Sequence, residues 1–150
     1  MKKYCASLNL RRAARVVTRH YDQALRAAGI TATQLPLLAA INAGVSLSIS
    51  ALAKELDLER STVSRELDVL ERRSLIKSSE GADKRATVLA LTPRGHKTLA
   101  AAFAAWQEAH DAVTRAYGSD AFDALLVQTK TLGQTVKGLD SATGGRRQRS

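Results

Sequence analysis

Apolar residues recur along the chain in two rhythms, and each change of rhythm marks a new element. Over about residues 5–28, Leu10, Ala14, Val17, Tyr21, Leu25 and Ala28 follow one another at steps of three and four. Such steps place them on one face of a helix. Arg11, Arg12, Arg15, Arg19 and Arg26 take its other faces, and Gly29 supplies a stop. A second helix is capped by Thr31 or Thr33, with Pro36 tolerated in its first turn and Leu35, Leu38 and Ile41 turned inward. It ends near Gly44, and residues 45–47 are short and β-prone. Ser48 then caps a third helix with Ile49, Leu52, Ala53 and Leu56 as its apolar face. After Asp57 and Leu58 a fourth helix, about residues 59–73, turns Val63, Leu67 and Leu70 inward.

The period then shortens. Residues 75–78 and 87–91 read as two strands, joined into a hairpin by the polar loop 79–86. Thr92 and Pro93 open the next helix as N-cap and first residue. On it Leu99, Phe103, Trp106, His110, Val113 and Tyr117 alternate steps of four and three. Gly118 breaks that helix, and Ser119 caps a last one where Phe122, Leu125, Thr129, Leu132, Val136 and Leu139 keep a heptad-like rhythm. The expected fold is mainly α with a small β-hairpin wing (α+β). It is a winged helix-turn-helix with N- and C-terminal helices forming a dimerisation base. Within a domain of residues 1–139, the DNA-binding lobe spans about 45–92, and the dimerisation helices about 5–28 and 93–139. Residues 140–150, with Ala142 as their one apolar residue, are expected to be a disordered basic tail. The middle block is too small to cover the stripes of the first and last two helices, so a homodimer is expected to bury them mutually.

Composition bears on partners more than on fold. Hydrophobic residues make up 45% of the chain and aromatics only 4%. The core must therefore be Leu, Ala, Val and Ile, which suits closely packed helices. Lys and Arg outnumber Asp and Glu by 23 to 14, a formal charge of +9. This excess points to a polyanion, nucleic acid first and an anionic membrane surface second. No apolar stretch approaches the roughly 20 residues that span a bilayer. Asn9, Arg11 and Arg12 interrupt any signal-like run, and one cysteine rules out an intramolecular disulfide. A cytoplasmic protein with no membrane partner is expected.

Between Ile49 and Leu75 two short helices meet at a tight turn, and the second begins with Arg60, Ser61, Thr62, Ser64 and Arg65. A recognition helix enters the major groove of double-stranded DNA by its N-terminal part. There Arg pairs bidentately with guanine, while Ser and Thr hydroxyls reach phosphates or base edges. Taken alone, these residues also fit a plain helix start with solvated arginines. The hairpin tips the balance. Its loop holds Asp83, Lys84 and Arg85, and a basic hairpin beside a helix-turn-helix is the layout of a winged helix. A wing-tip Arg suits the narrow minor groove, and Asp83 fits as a brace that orients a nearby Arg.

The ordered set of segments resembles the MarR family of bacterial transcription regulators. It comprises Asn9-Leu10-Arg11-Arg12-Ala13-Ala14-Arg15, Gly29-Ile30-Thr31-Ala32-Thr33-Gln34, Leu52-Ala53, Glu59-Arg60-Ser61-Thr62-Val63-Ser64-Arg65, Asp83-Lys84-Arg85 and Leu91-Thr92-Pro93-Arg94-Gly95. The resemblance covers all but the tail. It implies a homodimer of two winged-helix lobes on a helical base, bound to a pseudo-palindromic operator. Arg60, Ser61, Thr62, Ser64 and Arg65 would face the major groove, Arg85 the minor groove, and Asp83 would support the wing. It also implies repression relieved by a small aromatic or phenolic effector, or by an oxidant, near the junction of base and lobe. Glu59 stands where the family often has Asp, which weakens the helix cap more than the DNA contact.

Cys5, beside Lys2 and Lys3 at the head of the first helix, is a candidate redox sensor, with an inert packed thiol as the alternative. His110 on an apolar stripe fits a core or interface residue better than a ligand contact. His20, His96 and His110 have no metal-ligand spacing, so neither a metal nor a cofactor is expected. Without a phosphate-binding glycine loop or a nucleophile–base signature, no enzymatic activity is expected. The alternative function that stays open is a basic architectural or nucleic-acid-binding protein that does not read sequence.

Overall fold

Eight elements follow one another in the computed structural model, which describes residues 5–44, 48–80 and 87–147. Helix α1 spans Ala6–Leu25 and passes through a single tight turn, Arg26–Ala28, to Gly29, whose φ of 72° ends it. Helices α2 (Gln34–Asn42), α3 (Ile49–Glu55) and α4 (Arg60–Arg72) come next, then strands β1 (Ile76–Glu80) and β2 (Thr87–Leu91). Two long helices complete the chain, α5 (Pro93–Tyr117) and α6 (Ser119–Arg147). The mainly helical fold with one antiparallel hairpin is that of a winged helix. Residues 45–47 and the wing loop with Asp83, Lys84 and Arg85 lie outside the described residues, as do Lys2 and Lys3.

The chain divides into two compact units, Met1–Ala109 and His110–Ser150. The core of the first is built around Leu37, Leu38, Leu52, Val63, Leu70 and Leu75, all fully buried. Burying such a side chain contributes about 1.5–3 kcal/mol. Helix α4 contacts α2, α3 and β1, and helix α2 contacts α4 and β2. Besides the expected Leu35, Leu38 and Ile41, it buries Leu37 and Gln34. A helix covered on most sides loses its solvent stripe, and with it the periodic signal. Helix α5 departs from expectation in another way. Its buried line is Gly95, Leu99, Ala102 and Ala109, while Phe103 is 42% exposed. Small residues let the helix approach the core closely, with Leu99 buried and Trp106 packed against the core while Phe103 stays exposed.

Local geometry sets the turn of the helix pair. Ser48 caps α3, its Oγ accepting from the Ala51 N–H at 3.2 Å. That helix ends with Asp57 at φ 55° and the Leu58 N–H on the Ala53 carbonyl at 2.9 Å. Helix α4 ends the same way, with Ser74 at φ 55° and the Leu75 N–H on the Leu70 carbonyl at 3.0 Å. These are left-handed terminations built without glycine. The hairpin pairs Ile76 with Leu91 and Glu80 with Thr87. Thr92 then caps α5, its Oγ1 accepting from the Gly95 N–H at 3.0 Å and donating to the Ser74 carbonyl at 2.7 Å. Gly95 has no room for a side chain, because a Cβ there would stand 1.9 Å from the Leu75 carbonyl oxygen.

In the second unit, His110 packs edge-on against Phe122 with ring centroids 5.3 Å apart. Helix α6 leaves Leu126, Val127, Val136 and Leu139 exposed. Its backbone is helical to Arg147. Extending a formed helix adds one hydrogen bond per residue without a new nucleation cost, so polar residues there continue it.

Candidate nucleic-acid interface

The N-terminal half of α4 brings five of the expected residues onto one short stretch. Arg60, Ser61 and Arg65 are exposed, Thr62 and Ser64 are half-buried, and Val63 and Leu67 anchor the helix beneath them. Arg65 Nη2 reaches Thr62 Oγ1 at 3.5 Å, a weak contact that leaves the guanidinium available. Glu59 occupies the N-cap and makes no side-chain cap bond, in keeping with the poor capping of Glu. The helix is held at its middle and near its C-terminal end by carboxylates that the sequence reading passed over. Glu66 Oε2 accepts from Gln34 Nε2 of α2 at 2.9 Å. Glu71 Oε1 accepts from the Ser78 N–H at 3.1 Å and from Ser78 Oγ at 2.5 Å, tying α4 to β1. Strand β1 is thereby fixed beside the end of α4.

Gln34 carries a signal that sequence reasoning had within reach. Thr31 Oγ1 accepts from the Gln34 N–H at 3.3 Å, and Gln34 Oε1 accepts from the Thr31 N–H at 3.2 Å. This is a capping box in the order Thr-x-x-Gln, and it selects Thr31 over Thr33 as the cap. Asp22 of α1 accepts from the Ala32 N–H at 2.7 Å. No local pattern announces that bond, nor those of Glu66 and Glu71, because their partners lie far off or on another element.

Beside this turn an apolar cleft of about 360 Å³ is lined by Tyr21 of α1, Ala32, Leu35, Pro36 and Ala39 at α2, and Phe103 and Trp106 of α5. Burial raises the Tyr21 phenol above its ordinary value of 10.0, so it lines the cleft as a neutral hydroxyl at neutral pH. A shallow basic groove on α1 is formed by Arg11, Arg15 and Arg19 with Thr18 and Asp22. Cys5 is a free, exposed thiol at the head of α1. Among the described residues, no three His, Cys, Asp or Glu side chains gather as a metal site. Among them also, no helix is long and apolar enough to cross a membrane.

The family model described as MarR family matches residues 28–86, from the turn before α2 through the wing loop. The chain is also similar to the transcriptional regulator MosR of M. tuberculosis. The two share 32% identity over 92% of this chain and 99% of that one, with a TM-score of 0.81. The chain belongs to the MarR family. MosR in complex with DNA matches at 36% identity over 89% of this chain and 97% of that one, with a TM-score of 0.79. The transcriptional repressor CouR bound to a 23-mer DNA duplex matches at 28% identity, over 87% of this chain and 94% of that one, again with a TM-score of 0.79. No curated protein sequence matches. Within the MarR family, then, this chain has a helix pair fastened by Gln34–Glu66 on one side and a wing fastened by Glu71–Ser78 on the other.

Proposed function

We propose that this MarR-family chain is a DNA-binding repressor that works as a homodimer on a pseudo-palindromic operator. A small aromatic molecule or an oxidant releases it. The observation that carries the DNA-reading part is the row of exposed Arg60, Ser61 and Arg65 on the N-terminal half of α4, over buried Val63 and Leu67. In this reading Arg60 and Arg65 pair with base edges, and Ser61, Thr62 and Ser64 take base edges or phosphates. Lys84 and Arg85 enter the minor groove, and Asp83 orients the wing. The lobe comprises about residues 45–92. MosR and CouR, each in a complex with DNA, support this reading.

Pairing is supported by apolar side chains that a lone chain leaves in water, among them Val16 and Val17 on α1 and Leu126, Val136 and Leu139 on α6. Residues of about 5–28 and 93–139 are the dimerisation helices. The effector site in this reading is the cleft under Tyr21, Phe103 and Trp106, whose aromatic walls suit an aromatic ligand. CouR bound to p-coumaroyl-CoA is a relative with such a ligand. Cys5 is the candidate for release by oxidation.

Competition gel shifts test this reading. They use the intergenic DNA beside the gene against random duplex, repeated with a panel of aromatic acids and with peroxide. Preference for the upstream DNA, lost with an aromatic acid or peroxide, is expected. Equal competition by random duplex, with steep salt dependence, would instead indicate a basic protein that does not read sequence.

A further inference from the structure

We infer that the Gln34–Glu66 hydrogen bond is the tie through which the state of the apolar cleft reaches the DNA-reading end of α4, with both residues acting as positioning residues. This rests on the reading of the cleft as an effector site and of α4 as the recognition helix. Gln34 is a buried polar residue, 5% exposed, and its side chain faces two ways. Oε1 closes the capping box on Thr31, while Nε2 crosses to Glu66 at 2.9 Å, next in sequence to Arg65. Its neighbours Ala32, Leu35 and Pro36 line the cleft, and Ala32 is itself fastened to Asp22 of α1. Helix cap, cleft wall and tie are therefore one short segment, residues 31–36.

The segment is stiffened by the capping box and by the fixed φ of Pro36. A stiff, close-packed segment transmits a displacement instead of absorbing it. A molecule in the cleft bears on Ala32, Leu35 and Pro36, and Gln34 moves with them. The tie has two states, because a hydrogen bond fades within a few tenths of an ångström and a buried amide does not rest half-paired. Tied, Glu66 holds the middle of α4 against α2, one residue beyond Arg65, and so sets the depth at which Arg65 meets the groove. Untied, α4 keeps its seat on Val63, Leu67 and Leu70 and its bond from Glu71 to Ser78, but loses its side-chain bond to Gln34 of α2.

A double-mutant cycle on the full chain tests the tie. Ala39→Trp fills the cleft without any ligand, Glu66→Ala removes the acceptor, and Glu66→Gln keeps an acceptor oxygen. Two quantities are read: affinity for the upstream DNA, and hydrogen exchange of the α4 amides in the free protein. In the wild-type background, Ala39→Trp should weaken DNA binding by about tenfold and speed exchange at the start of α4. In the Glu66→Ala background it should change either quantity less than about twofold, and Glu66→Gln should restore the response. Equal effects of Ala39→Trp in all three backgrounds would overturn the inference. Ala39→Phe is the smaller filler to use where the tryptophan variant does not fold. Loss of all sequence preference in the wild type would remove the repressor reading, while the exchange cycle would still decide whether the tie exists.

Discussion

Arg65 stands exposed on α4 above the buried seam of Val63 and Leu67, so its replacement changes the surface and leaves the core alone. Arg65→Ala should cost about 1–3 kcal/mol on the operator and relax preference at one base position, read by titrating single-base variants of the site. Equal loss on operator and random DNA would assign Arg65 to phosphate instead. Gly95 is the opposite case, invisible at the surface and critical beneath it. A methyl group there meets the Leu75 carbonyl oxygen, so Gly95→Ala should lower stability by about 1–3 kcal/mol or more, seen as an earlier urea midpoint. Legibility at this scale divided along the same line. That Arg60, Ser61, Thr62, Ser64 and Arg65 share the first half of one helix was legible, because the apolar period of Val63, Leu67 and Leu70 sets that helix. Asp22, Glu66 and Glu71 were not, since what they do depends on partners that only the folded chain brings near.

The elements were legible wherever one face meets water. Helices α3 and α4 and the hairpin follow their apolar periods, α1 lies where its period places it although Leu10 and Val17 of its stripe are exposed, and Gly29, Ser48 and Thr92 mark ends where expected. Helix α2, buried on most sides, and α5, which packs through Ala102 and Ala109, hid part of their contact faces because pattern reading weighs large side chains most. The same scale carries a stability prediction. Ser74 closes α4 in the left-handed region at φ 55°, a conformation that disfavours any residue with a Cβ. Ser74→Gly should therefore stabilise the protein by about 1 kcal/mol, measured as a later urea midpoint with unchanged slope. An unchanged or earlier midpoint would show that the carbonyl held by Thr92 already fixes the turn at no cost.

At the scale of the whole molecule, the central proposal is that two chains present two α4 helices to one stretch of DNA. Leu132 and Val136 of α6, both exposed in a single chain, belong to the proposed pairing surface. Leu132→Asp together with Val136→Asp should yield a monomer by sedimentation that still shows the helical content of the fold. Such a monomer should bind the upstream DNA far more weakly than the wild type, because one lobe reaches only one half-site. The most direct test of the proposal is a hydroxyl-radical footprint of the wild-type protein on its own upstream DNA. Two protected half-sites should lie about one helical turn apart, roughly 10 bp centre to centre, related by a pseudo-two-fold and filled together. A single protected half-site, or even protection along the whole duplex, would contradict it.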